Sequence, residues 1–123
     1  MGVVIAIVTA ATFNLVCVGT RYSSDKFDPD ASKKPVELIA RVDLDQKRWC
    51  AGDCNATAPI HRVSDTEIVF DYVDTQILLK SFVVNRESGA FEQKTHTRGT
   101  KWVQIITGQC ERANFSGFPK RKF

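Results

Sequence analysis

Long hydrophobic runs are missing from this chain. Nothing approaches the ~18 consecutive apolar residues that span a bilayer, because Asn14 interrupts the N-terminal run and Arg21 ends it. No transmembrane segment is therefore expected. A strong charge of one sign is also missing. Seventeen basic and 14 acidic residues give +3, and Lys120, Arg121 and Lys122 account for all of that excess. A nucleic-acid-binding face needs a basic patch spread over the domain, so no nucleic-acid partner is expected. Histidine is scarce, with two in 123 residues. Neither His61 nor His96 neighbours a Gly-x-Ser-x-Gly elbow, a nucleophile with its base, or a His-Glu-x-x-His pair. No catalytic residue is assigned, and the protein is expected not to be an enzyme. Helical periodicity is lacking as well, since no window of eleven residues carries an apolar stripe at helical spacing. At this length the chain holds one modest core, which excludes a TIM barrel or a two-lobed Rossmann enzyme.

Strand signals dominate what is present. Thr12 to Gly19 alternates, with Phe13, Leu15 and Cys17 on one side. Val36 to Leu44 places Leu38, Ala40, Val42 and Leu44 on one face and Glu37, Arg41 and Asp43 on the other, with Ile39 as the exception among the polar positions. Further strands are read at Pro59 to Ser64, Ile68 to Val73, Ile77 to Arg86, Ala90 to Thr97 and Lys101 to Cys110. Short polar turns separate them, at 45–47, 64–67, 74–76, 87–89 and 98–100. Connections this short join antiparallel neighbours. Thr20 to Pro35 is the one long gap, rich in Ser, Asp, Lys and Pro, and reads as an exposed loop. The expected fold is all-β: an antiparallel meander of six to eight strands forming a small barrel or sandwich, stapled by disulfides, with the first and last strands in contact.

Four cysteines on a short chain read as a disulfide framework if the protein leaves the cytoplasm. Gly2 to Val8 is uncharged and apolar, and Thr9, Ala10 and Ala11 follow it as small residues, so residues 1–11 read as a signal peptide or an N-terminal strand. Periplasmic or secreted localisation follows. Cys17 and Cys110 both look inward at the ends of apolar rows in the first and last strands, which suggests a bridge closing about 94 residues. Cys50 then pairs with Cys54 by elimination. Three residues separate those two, whereas a redox motif has two and a following helix, so a structural bridge is the preferred reading. A zinc site built on Cys50 and Cys54 with His61 or His96 would lack a fourth ligand. Asp25, Asp28 and Asp30, like Asp43 and Asp45, lack the turn glycine of a calcium loop. No metal and no cofactor are expected.

The C-terminal stretch from Phe115 to Phe123 interleaves aromatics with basic residues. It could touch an anionic surface, but the preferred reading tucks Phe115 and Phe118 under one end of the barrel and leaves the charges wet. The division is therefore 12–118 for the β domain and 119–123 for a basic tail. Polar loops on a rigid scaffold are where binding concentrates. The possible surface for another protein comprises Asp25, Lys26 and Phe27 in the long gap, Asp53 and Asn55 by the short disulfide, and Lys120, Arg121 and Lys122.

Asn14-Leu-Val-Cys-Val-Gly19, Val42-Asp-Leu-Asp45 leading to Trp49-Cys50, Val84-Asn-Arg-Glu-Ser-Gly89 and Gly108-Gln-Cys110 together resemble small exported bacterial proteins with a barrel-like hairpin scaffold. The likeness runs from Phe13 onward and implies a fold without implying an activity. In architecture, with a cysteine in the first and last strands, the chain is also similar to periplasmic lysozyme inhibitors. The expected function is an extracytoplasmic binding or interaction module. Inhibition of a cell-wall hydrolase and carriage of a small apolar ligand are the alternatives, although a strand set wide enough to leave a cavity is hard to draw from this length.

Overall fold

The structure, a computed structural model, describes residues 11–24 and 33–119. Nine strands are formed there: β1 (Thr12–Ser23), β2 (Lys34–Asp43), β3 (Arg48–Ala51), β4 (Ala58–Pro59), β5 (Arg62–Val63), β6 (Glu67–Asp74), β7 (Leu78–Asn85), β8 (Ala90–Thr97) and β9 (Val103–Ala113). They make one antiparallel sheet in the order β4-β3-β2-β1-β9-β8-β7-β6-β5. The sheet curls into a half-barrel, with Phe13, Val42, Phe70, Phe82 and Phe91 among the residues packed in one core cluster.

Its two outermost strands, β4 and β5, are neighbours in sequence. Between them the backbone bridges the seam, since Ile60 N–H donates to Lys47 O at 2.8 Å on one side and His61 N–H donates to Phe70 O at 3.3 Å on the other. Side chains bridge it too. Trp49 on β3 packs its ring 5.0 Å from Phe70 on β6 and 5.6 Å from Phe82 on β7. The sheet curls because one of its faces carries the clustered apolar side chains, Phe13, Leu15, Val42, Phe82 and Phe91 among them, and curling is how they leave water.

Two rungs fix the pairing of β1 with β9. Cys17 stands opposite Cys110, and Gly19 opposite Gly108. The cysteines form a disulfide across a Cα separation of 3.9 Å. At the glycine rung a Cβ on Gly19 would lie 2.2 Å from Thr107 O, and one on Gly108 would lie 2.1 Å from Val18 O. Glycine is required there because the two backbones leave no room for a side chain. Phe91 is the register partner of Gly108 on β8, and its ring edge covers the gap, 3.0 Å from where the Cβ of Gly19 would be.

Several expectations need correction. The strand count is nine, because Arg48–Ala51 is a strand and Pro59 to Ser64 divides into β4 and β5 where the chain crosses the seam. Both ends of the long gap are strand: Thr20 to Ser23 belongs to β1, and Lys34 and Pro35 belong to β2. Asp43, placed on the solvent face, is buried, and its Oδ1 accepts a hydrogen bond from Gln46 N–H at 3.0 Å to shape the following turn. A bulge between Val69 and Asp71 shifts the phase of β6 after Phe70, so Ile68 and Phe70 both join the core, Asp71 becomes the partner of Phe82 and Tyr72 is exposed. The possible signal peptide lies outside the described residues except for Ala11.

Candidate binding site

One end of the half-barrel is open. A cavity of about 520 Å³ enters the concave side there, between the start of β1, the end of β9 and the turns after β2 and β7. Its floor is apolar, made by Phe13, Leu15, Ile68 and Val84 with the Cys110 side of the disulfide. Its rim is charged and balanced, with Arg86 and Arg112 against Asp45 and Glu87.

The rim is held in place locally. Asn85 Oδ1 accepts hydrogen bonds from Glu87 N–H and Ser88 N–H, both at 2.9 Å, and Gly89 N–H donates to Asn85 O at 2.9 Å. Gly89 has a φ of 77°, a left-handed conformation that glycine adopts without strain. Arg86 Nη1 donates to Ser64 O at 2.7 Å, and the Arg112 guanidinium lies 4.6 Å from the Phe13 ring centre. Across the mouth, Leu44 N–H donates to Ala11 O at 2.9 Å. A concave, mostly apolar volume with a few placed polar groups is what small ligands occupy. The site offers no thiol, because all four cysteines are in disulfides.

Of the residues assigned to a partner surface from sequence, the two that are described, Asp53 and Asn55, do not line the cavity. Asp53 and Asn55 are exposed on the loop between β3 and β4, on either side of buried Cys54. That loop is held by the Cys50–Cys54 disulfide, by left-handed Gly52 and Cys54, and by Arg48 Nε donating to Thr57 Oγ1 at 2.7 Å. Asp25, Lys26, Phe27, Lys120, Arg121 and Lys122 lie outside the described residues. Phe115 and Phe118 do not sit under the barrel end. Their segment crosses the convex face, where Asn14 Nδ2 donates to Ser116 Oγ and Arg41 Nη1 donates to Gly117 O, each at 3.0 Å. The reason is register, since Asn14 and Arg41 alternate with core residues and present polar partners outward.

His61 is exposed beside Tyr72, with ring centres 5.4 Å apart. Half-buried His96 faces Thr100 O at 3.3 Å. No cluster of three or more His, Cys, Asp or Glu side chains suited to a metal ion is formed among the described residues. Nor does any helix there have the length and apolarity to cross a membrane. The cavity was missed because its lining comes from positions as far apart as 11 and 112, whose meeting depends on a sheet order that short-range patterns do not encode.

The chain is thus a disulfide-stapled, all-β half-barrel with an open concave end. No known protein family, no curated protein and no solved structure matches it.

Proposed function

We propose that this protein is an extracytoplasmic binding module that takes a small amphipathic molecule at the open end of its half-barrel. The cavity of about 520 Å³ carries this reading, with its apolar floor and balanced charged rim. The apolar part of the ligand would rest on Phe13, Leu15, Ile68 and Val84, and its polar head would meet the rim. Because both charge signs stand on the rim, a zwitterionic or dipolar head suits it better than a purely anionic one. Native mass spectrometry of freshly purified protein, followed by titration with an environment-sensitive apolar dye, tests the site. Saturable one-to-one dye binding that Leu44→Trp abolishes supports it. Binding unaffected by that side chain at the mouth removes it.

The extracytoplasmic part rests on the two disulfides, since such bonds persist in oxidising compartments. Protein purified without reductant should contain no titratable thiol. Four free thiols on native material would count against export.

A second reading, inhibition of a cell-wall hydrolase, draws on the Cys50–Cys54 loop. It holds Asp53 exposed within a short, covalently closed turn and Asn55 exposed just after it, and an inhibitor gains affinity from such preorganisation. Lysozyme activity unchanged at large molar excess of the protein excludes this for lysozyme.

A further inference from the structure

The end of the sheet opposite the cavity has a different surface. There the β6–β7 and β8–β9 turns lie side by side, with Arg98 N–H donating to Ile77 O at 3.0 Å and the Arg98 guanidinium paired to Asp74 at 2.6 Å. The end of β1 is fastened to the same place, since Ser24 Oγ donates to Lys101 O at 2.6 Å and accepts from Val103 N–H at 2.8 Å. Large apolar side chains project from this end: Ile77 is 74% exposed at one turn and Trp102 40% at the next. Tyr22 is 42% exposed with the Lys33 ammonium 6.0 Å from its ring centre, and Tyr72 is 48% exposed on the far side.

Charge is concentrated here as well. From the rung containing Arg21 outward, the described residues include Arg21, Lys33 and Lys34 on the β1–β2 side. Among the described residues the two hairpins add Lys80, Lys94, Arg98 and Lys101 against Asp71 and Asp74, while residues 25–30, in the segment that joins Ser24 to Lys33, carry Asp25, Asp28 and Asp30 against Lys26. Asp71 and Asp74 are already paired, to Lys80 at 3.2 Å and to Arg98.

We propose that this end is a peripheral docking surface for an anionic lipid bilayer, with Ile77 and Trp102 entering the headgroup region and Lys33, Lys94 and Lys101 facing lipid phosphates. Trp and Tyr favour the boundary between water and hydrocarbon, and a cluster of ~4–8 cations is what an anionic leaflet attracts. The layout favours a bilayer over a protein. Tyr22 and Tyr72 are the outer members of a row running through Ile105, Lys94 and Ser81, so they stand four strand spacings, roughly 19 Å, apart. Tyr22 adjoins Ile105, but Lys94 and Ser81 stand between that pair and Tyr72, so polar side chains divide the apolar ones, whereas a protein interface has an apolar centre inside a polar rim. A fluid surface conforms to such a pattern. The cavity, at the other end, would remain open to solution, so this proposal holds or fails independently of the ligand reading.

Vesicle co-sedimentation of the full chain tests it, comparing phosphatidylcholine alone with phosphatidylcholine containing one quarter phosphatidylglycerol. Binding should require phosphatidylglycerol and weaken at high salt. Ile77→Ser combined with Trp102→Ser should lower partitioning roughly tenfold, as should Lys33→Glu combined with Lys101→Glu, with thermal midpoints unchanged. Brominated lipid should quench tryptophan emission in the parent protein and not in Trp102→Phe, where Trp49 alone remains. Absence of binding to the anionic vesicles at low salt overturns the proposal, as does equal binding by parent and variants, which would assign adsorption to Gly2–Val8 or the basic tail. Saturable binding of an acidic protein through these residues, with vesicles left unbound, overturns it too.

Discussion

Trp49 does at residue scale what the sheet order does at large scale. It projects from the four-residue strand β3 onto Phe70 and Phe82, so one side chain joins the two ends of the curl. Its Nε1–H is buried without a hydrogen-bond partner among the described residues. Leaving a donor unpaired costs free energy, whereas replacing it by an apolar group of similar shape removes that cost. Trp49→Phe should therefore change stability by less than about 1.5 kcal/mol, while Trp49→Ala should lower it by roughly 3 kcal/mol, both measured by urea unfolding. Sequence gave little sign of this role. Trp49 sits between a polar turn and the Cys50 to Cys54 segment, outside every strand read from alternation, and a four-residue strand is too short to show a period. Asp43 is a similar case, since alternation placed it outside while the turn to Gln46 buries it.

Most of the strands were legible because their inward positions are β-branched or aromatic at a period of two. Ala90–Thr97 coincides with the expected strand, and β2, β6, β7 and β9 differ from expectation only at their ends. β1 runs four residues further than read because Thr20, Arg21, Tyr22 and Ser23 pair with β9, an edge that local polarity does not reveal. The glycine rung between β1 and β9 makes the element-scale prediction. Gly108→Ala would push a methyl group against Val18 O and the Gly19 backbone, and such overpacking typically costs about 1–3 kcal/mol. Thermal unfolding of Gly108→Ala should show that loss. Gly99→Ala meets nothing within 4 Å, so its cost should be confined to the strain of a left-handed φ of 81°.

At the scale of the whole molecule the two disulfides differ in what they restrain. Cys17–Cys110 links residues 93 apart, and Cys50–Cys54 links residues 4 apart. On the chain-entropy model the first contributes about 4.7 kcal/mol and the second about 2 kcal/mol. Replacing Cys17 and Cys110 by Ala should therefore lower the unfolding midpoint far more than replacing Cys50 and Cys54, which equilibrium denaturation of the two double variants can check. The apolar rows were readable from alternation, and the long bridge from those rows together with the expected contact of the first and last strands. The open end was not, because it is a property of how many strands the curl contains and where it stops.

The seam at Ile60 and His61 has a consequence for how the chain finds its shape. Strand order in space is strand order in sequence everywhere except at the β1–β9 junction, which joins the two most distant strands. A circular permutant that links residues beyond Ala113 to Thr12 and begins at His61 would convert that junction into a local hairpin. Every pairing would then be between nearest neighbours along the chain. Folding rates rise as contacts become more local, so the permutant should refold faster than the parent when both are fully reduced. The sulfur bridge that now offsets the entropy of one long closure would become dispensable.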